Sequence, residues 1–344
     1  MKIFFLIFSL LVAKVSYGQD YHFSQFFNTP LVINPAQTGF FFGNQRVNIF
    51  YRKASIITPY ETYGASFDSK FFDDEMADGY LASGLSVVRD KAGASEFGLT
   101  EILASVTYHY MTGVGYFSAG IQSGFAQRKI NYDNLYWGSQ YNELLGDFDP
   151  DLPKGGSGSY DNYGYFDLSA GVLYTFYTEE TNITSNDGIF FSVGSAWYHF
   201  HSPKIGFSEA LDAKMHSKYV VHGSGMLGLF QTNTSITPSF LFARQGPYQK
   251  IIAGSGFRFL LQPRSVYTRF RKNYAMTLGC HYRFKDAIIP YIDFELINFT
   301  IGISYDANVG SIQSSSYQVG GFEVSLRYIN VSRTRRIMPK PSFL

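Results

Sequence analysis

The chain has 344 residues, 28 basic against 27 acidic side chains for a net charge of +1, and one cysteine. The balanced charge argues against a nucleic-acid protein, which carries a basic excess or stripe, and the lone Cys excludes an intramolecular disulfide framework and a Cys-cluster zinc site. Aromatic residues make up 18% of the chain and charged residues only 16%, where a soluble domain carries about 25% charge. With 33 Gly and a mean hydropathy of -0.07, too low for a helical membrane protein, this is the composition of a transmembrane β-barrel.

Residues 1–18 read as an export signal. Lys2 supplies a short positive region, Ile3 to Ala13 an apolar stretch too short to span a bilayer as a helix, and Ser16 and Gly18 the small residues before a cleavage point at Gln19. An N-terminal membrane anchor is the alternative. Residues 19–44 follow as a segment broken by Pro30 and Pro35, neither of which can donate to a sheet ladder. Its apolar residues (Phe23, Phe26, Phe27, Leu31, Val32 and Ile33) need cover. The expected solution is a plug or collar packed in the periplasmic mouth of a barrel, either only filling the lumen or also binding a periplasmic partner.

From residue 45 to 330 the period is two. Tyr274, Met276, Leu278, Cys280, Tyr282 and Phe284 alternate with Ala275, Thr277, Gly279, His281 and Arg283, and Phe299, Ile301, Ile303 and Tyr305 with Thr300, Gly302, Ser304 and Asp306. Alternation means one apolar and one polar face. Runs of five or six apolar alternate positions match the roughly 9–11 residues of a spanning strand, and pairs such as Tyr108 and Tyr110 or Tyr174 and Phe176 suit interfacial girdles. Fourteen strands are predicted, with twelve or sixteen left open, near 45–53, 60–68, 79–89, 100–111, 114–128, 163–177, 188–200, 217–230, 234–245, 248–261, 272–285, 287–296, 297–307 and 317–330. The boundary at Leu296-Ile297-Asn298 requires a very tight turn. Longer connections at 69–78, 90–97, 129–162, 201–216, 262–271 and 307–316 alternate with tight turns such as Met111-Thr112-Gly113, a pattern expected of long outer loops and short inner turns.

Candidate chemistry is thin. Asp147, Asp149 and Asp151 have the opening spacing of a calcium loop, but Leu152 stands where the loop needs Gly and Gly158 where it needs Glu. His199 and His201 are expected to share a strand face beside Trp197, as metal ligands with His216 or as loop-end histidines facing water. His109 and His281 are expected to point inward, and Cys280 to sit on the lipid-facing row as an inert thiol. The seven histidines show no catalytic spacing, so no enzyme activity and no cofactor are expected. In the loop 131–162, Tyr132, Tyr136, Trp137, Tyr141 and Phe148 are mixed with Gly, Ser and Asn, which suits a protein-binding loop and equally a packed loop tip. The tail 331–344 carries Arg333, Arg335, Arg336 and Lys340; it is either solvated or docked on an acidic periplasmic surface.

The stretch His22-Phe23-Ser24-Gln25-Phe26-Phe27-Asn28-Thr29-Pro30-Leu31, followed by Asn34-Pro35-Ala36-Gln37-Thr38-Gly39, resembles the opening of the PorP/SprF family of outer-membrane proteins, found with the type IX secretion and gliding machinery of Bacteroidota. Asp90-Lys91-Ala92-Gly93, Gln127 to Tyr136, Gly302-Ile303-Ser304-Tyr305-Asp306 and Phe322-Glu323-Val324-Ser325-Leu326 resemble later family segments, so the likeness spans the mature chain. Many relatives end in a Cys-Pro-x-Phe-like sequence; this chain ends Pro339-Lys340-Pro341-Ser342-Phe343-Leu344 without Cys. The resemblance implies a non-catalytic 14-stranded barrel in the outer membrane. Such a barrel helps to secrete, anchor or display a cargo protein, such as a large adhesin with a type B C-terminal sorting domain, beside periplasmic and lipoprotein components of the machinery. Two other functions stay open from the residues: a plugged transporter of hydrophobic solutes resembling the FadL family, whose members also carry Asn-Pro-Ala near the plug, and a simple porin.

Overall fold

The structure is a computed structural model that describes residues 20–55, 60–71, 78–93, 97–130, 135–144, 146–153, 162–178, 188–205, 214–261, 274–309 and 320–330. The strands are β1 (Gln45–Ser55), β2 (Tyr60–Phe71), β3 (Gly79–Ala92), β4 (Phe97–Met111), β5 (Gly115–Lys129), β6 (Tyr141–Asn142), β7 (Asp147–Phe148), β8 (Asn162–Tyr177), β9 (Ile189–Tyr198), β10 (Lys218–Gly228), β11 (Thr234–Gln245), β12 (Tyr248–Leu260), β13 (Tyr274–Arg283), β14 (Ala287–Leu296), β15 (Phe299–Asn308) and β16 (Gly321–Asn330). Fourteen of them close into one antiparallel barrel, and β6 and β7 form a separate hairpin within the β5–β8 connection. Closure is made by β1 against β16, in register from Gln45↔Asn330 to Lys53↔Phe322. Because the strand number is even, β1 begins and β16 ends at the same mouth, called here the near mouth; the opposite end is the far mouth. No helix among the described residues is long and apolar enough to cross a membrane; the crossing elements are the strands.

The alternation in the sequence is the alternation of the wall. Along β4, Leu99, Glu101, Leu103, Ser105, Thr107 and His109 are buried in the lumen, while Ile102, Ala104, Val106, Tyr108 and Tyr110 face outward. The outward rows of β1, β2, β5, β8 and β12 present Ile49, Phe67, Ile121, Phe166 and Phe257 to the surroundings, with Ile121 67% exposed. A contiguous apolar surface of this kind is not carried by a soluble protein but suits lipid. Inward, the barrel strands bury Arg46, Asp68, Glu101, Asp167, Lys250, Arg283, Asp306 and Glu323. Buried charges of this kind require partners, and much of that partnering comes from the N-terminal segment.

Three turns show how the strands connect. Ile297-Asn298 is a two-residue link, since Leu296 pairs with Phe299. Ile297 adopts φ 56, an unfavourable left-handed geometry for a β-branched residue. Gly246 (φ 55) and Gly113 (φ 82) turn without that strain. One expectation fails. The long connections do not gather at one end: those joining β2 to β3 and β12 to β13 join strand ends at the near mouth, as do the tight turns 112–114 and 297–298, whereas those joining β5 to β8, β9 to β10 and β15 to β16 join strand ends at the far mouth, as do 246–247 and 284–286. Residues 69–71 and 90–92, expected in loops, extend β2 and β3, because polar residues read as loop residues sit in strands at the polar ends of the lumen.

Candidate functional site

The N-terminal segment is threaded along the whole lumen. It starts at the far mouth, where Asp20 meets strand ends of β10 and β11, and leaves at the near mouth, where the Asn44 N–H donates to the Asn330 carbonyl (3.0 Å). The plug expected from the prolines and apolar residues is therefore present, and it reaches further than a collar at one mouth. Three short turns, Phe26–Asn28, Pro30–Ile33 and Pro35–Gln37, pack it into the space. Pro30 and Pro35 each open a turn, where a missing N–H costs nothing.

At the far mouth the fastening is ionic. Asp20 Oδ2 lies 2.8 Å from His199 Nε2 and 3.3 Å from Lys218 Nζ, and His199 Nδ1 lies 2.9 Å from Asp167 Oδ1. Burial alone would lower the His199 pKa, but the adjacent Asp20 and Asp167 carboxylates overcome it and push the imidazole up to about 10. Burial alone would raise Asp20, yet His199 and Lys218 hold it well below the usual carboxylate range. The pair is thus charged at neutral pH. One layer further in, Glu323 receives the backbone N–H groups of Ser24 (2.7 Å) and Gln25 (2.8 Å). Asp306 Oδ2 receives Ser24 Oγ (2.8 Å), Arg283 Nη1 (2.9 Å) and Arg52 Nη2 (3.2 Å). Arg52 also donates to the His22 carbonyl.

In the middle the fastening is steric. Asn34 caps the Pro35 turn by accepting from the Ala36 N–H (2.8 Å), and its amide nitrogen donates to the Val172 carbonyl (3.0 Å) and meets His222 Nε2 (3.0 Å). The wall makes room through inward glycines: a Cβ on Gly171 would lie 2.0 Å from Asn34 Oδ1, and one on Gly120 2.8 Å from the Ala36 nitrogen. Phe26 and Ile33 pack on Tyr198, Val220, Leu241 and Ile252, and burying each such side chain contributes about 1.5–3 kcal/mol. Toward the near mouth, His109 Nε2 donates to the Thr38 carbonyl (2.7 Å), and Asp68 Oδ2 receives the Gly39 N–H (2.7 Å) and Arg46 (2.7 Å). Gly39, at φ 76, has no room for a side chain against Ala82.

Of the ten expected plug residues, Phe23, Ser24, Gln25, Phe26, Pro30, Asn34, Pro35, Ala36 and Gly39 are buried together in the lumen and His22 is half-buried beside them. The fastening residues on the wall were missed by sequence reasoning: Arg52, Asp68, Asp167, Arg283, Asp306 and Glu323. Their signal was a charge on the polar row of a strand. Between the plug and the wall from β9 to β16 lies a near-mouth cavity of about 370 Å³, lined among others by Phe27, Phe40, Arg258, Tyr291, Glu295 and Arg327. Arg258 grips Glu295 with two 2.7 Å hydrogen bonds, and Arg327 donates to the Phe27 carbonyl and Asn28 Oδ1.

The far-mouth loop forms a self-contained hairpin. Tyr141 pairs with Phe148 and Asn142 with Asp147; Ser139 Oγ donates to the Pro153 carbonyl (3.0 Å) and Tyr136 packs edge-on to Phe148 at 4.7 Å. Tyr136, Tyr141 and Phe148 are exposed, and Trp137 is half-buried. Within this loop Asp149 accepts from Asn142 Nδ2 and from the Asp151 N–H, so the acids brace the turn. Among the described residues no group of three His, Cys, Asp or Glu is placed to hold a metal. The expected sharing of a face by His199 and His201 is corrected. Trp197 faces outward, but His199 takes φ 54, which breaks the period of two and turns its ring into the lumen. His201 stays exposed, on the Phe166 carbonyl (2.8 Å). His109 and His281 point inward and Cys280 faces outward, as expected. Tyr132, the signal 1–18 and Arg333, Arg335, Arg336 and Lys340 of the tail lie outside the described residues.

A closed 14-stranded antiparallel wall with an apolar outer surface and a polar, plugged lumen defines an outer-membrane β-barrel protein. The model of the family described as type IX secretion system membrane protein PorP/SprF matches residues 15–328, and the chain belongs to that family. Solved structures similar in fold include the TodX deltaS2S3 mutant monoaromatic hydrocarbon channel, 10% identical over 87% of this chain and 93% of that one, with a TM-score of 0.44. CdiB from Acinetobacter baumannii is 9% identical over 84% of this chain and 60% of that one (TM-score 0.40). The β domain of the Bordetella autotransporter BrkA is 11% identical over 84% and 99% (TM-score 0.34). No curated protein matches the chain.

Proposed function

We propose that this type IX secretion component is a non-catalytic holder. Its far-mouth hairpin binds the C-terminal domain of a secreted cargo protein, such as a large adhesin, and anchors or displays it at the cell surface. The near mouth faces the periplasm, and the tail 331–344, with Arg333, Arg335, Arg336 and Lys340, docks there on periplasmic or lipoprotein parts of the secretion and gliding machinery. Residues 1–18 act as the cleaved export signal, 19–44 as the plug and 45–330 as the barrel. The plug motif fastens the wall, and the hairpin and tail make the partner contacts.

The observation that carries this reading is the pairing of a lumen threaded end to end by its plug with an exposed aromatic hairpin over one mouth. Rigid rings with polar neighbours suit a protein contact. A filled lumen does not suit solute passage, so the hydrophobic-transporter reading is not taken up. The experiment is affinity purification of the tagged barrel from its own outer membrane, with a photo-crosslinker at position 136. Crosslinks to a sorting-domain protein, and loss of that protein from the cell surface on deletion, are expected. An unchanged surface proteome in the deletion strain would end the proposal.

A further inference from the structure

We infer that the far end of the lumen holds a small monovalent inorganic anion, of chloride size and charge, bound by Lys250 with Tyr248 and His22. Lys250 lies on the inward row of β12 and is only 7% exposed. Among the described residues no hydrogen bond or ion pair reaches its ammonium. The charges that bear on it most strongly are the cations Arg52, Lys218 and Arg283, with Glu323 opposed.

Each acid nearby is already committed. Asp20 is shared between His199 and Lys218, Asp306 between Arg52, Arg283 and Ser24, and Glu323 between Arg52 and the backbone of Ser24 and Gln25. A buried cation among cations, with every carboxylate occupied, calls for an anion. A chamber of about 30 Å³ between plug and wall is lined by Lys250, Tyr248 and His22 together. The Tyr248 hydroxyl and the His22 ring likewise have no hydrogen-bond partner among the described residues. That volume takes a water or a halide. The anion would neutralise Lys250 and tie the plug, through His22, to β12.

The test is thermal unfolding of the purified full-length barrel in detergent, at one ionic strength, in sodium chloride, sodium bromide or sodium gluconate. The expected result is a saturable rise in unfolding temperature with either halide, absent in gluconate, and lost in Lys250→Met. Crystals grown in bromide are expected to show an anomalous peak in the chamber. If Lys250→Met does not fold, Tyr248→Phe keeps the lysine and is expected to weaken the apparent halide affinity several-fold. Equal unfolding temperatures in chloride and gluconate overturn the inference, as do a full halide shift in Lys250→Met or Tyr248→Phe and an empty chamber in bromide crystals.

Discussion

The plug and the far-mouth hairpin are both short, aromatic and rich in turns, yet their environments are opposite. In the plug, Phe23, Phe26 and Asn34 are buried, and the segment spends its polar groups on the wall. In the hairpin, Tyr136, Tyr141 and Phe148 stay exposed, and the polar bonds close within the loop. Composition alone does not separate a core from an interface. The separation comes from what surrounds each segment: fourteen strands whose inward rows offer glycines and charges in one case, and solvent in the other.

Substitutions should break the plug and spare the hairpin. The largest effect is expected from Asp20→Asn, which leaves His199 and Lys218 facing a neutral side chain; loss of one partner from a buried pair costs about 3–5 kcal/mol. Guanidinium unfolding of the refolded barrel measures it, and an unchanged midpoint would show that the latch adds no stability. Gly171→Val comes next, because its Cβ would strike Asn34 Oδ1, and overpacking of this kind costs about 1–3 kcal/mol. Gly138→Ala in the hairpin, where nothing lies within 4 Å of the added carbon, is the matched control and should leave the midpoint in place.

Acid and base should loosen the same latch by different routes. The folded value of His199, about 10, lies above its ordinary 6.5. Its contribution is complete below 6.5 and is lost as pH climbs through about 10. Asp20 is held below its ordinary 3.8, so its contribution is present above that value and is lost as pH falls beneath it. Stability measured across pH should therefore decline at both ends, with both declines reduced in Asp20→Asn. Apart from that control, the smallest stability effect belongs to the double substitution Tyr136→Ala with Phe148→Ala, within about 0.5 kcal/mol. If the hairpin holds the cargo, that variant should nonetheless lose surface display, as read by antibody labelling of intact cells.

Much of the barrel was legible because its rule is local. The rows Phe299, Ile301, Ile303 and Tyr305 against Gly302, Ser304 and Asp306 assign two faces without any knowledge of partners, and the fourteen strands follow. His109, His281 and Cys280 fell on the predicted sides for the same reason. His199 did not, because one left-handed residue undoes a period of two and nothing in its neighbours announces it. The sorting of long and short connections between the mouths failed for a related reason. Ser69, Lys70, Asp90 and Lys91 look like loop residues in a linear reading, although a lumen accepts polar side chains within strands.

By itself, the sequence pointed to the class, to about fourteen strands, to the two faces of the clearly alternating strands and to a plug, since these depend on periodicity, proline and composition within short windows. Only the tertiary structure decided where the plug runs and what holds it. Ser24 meets Asp306 and Glu323, Asn34 meets Val172 and His222, and Gly39 meets Asp68. Apart from that last contact, these partners are separated by well over a hundred residues. They come together only when β1 closes on β16 and the inward rows of the barrel converge on the segment they enclose.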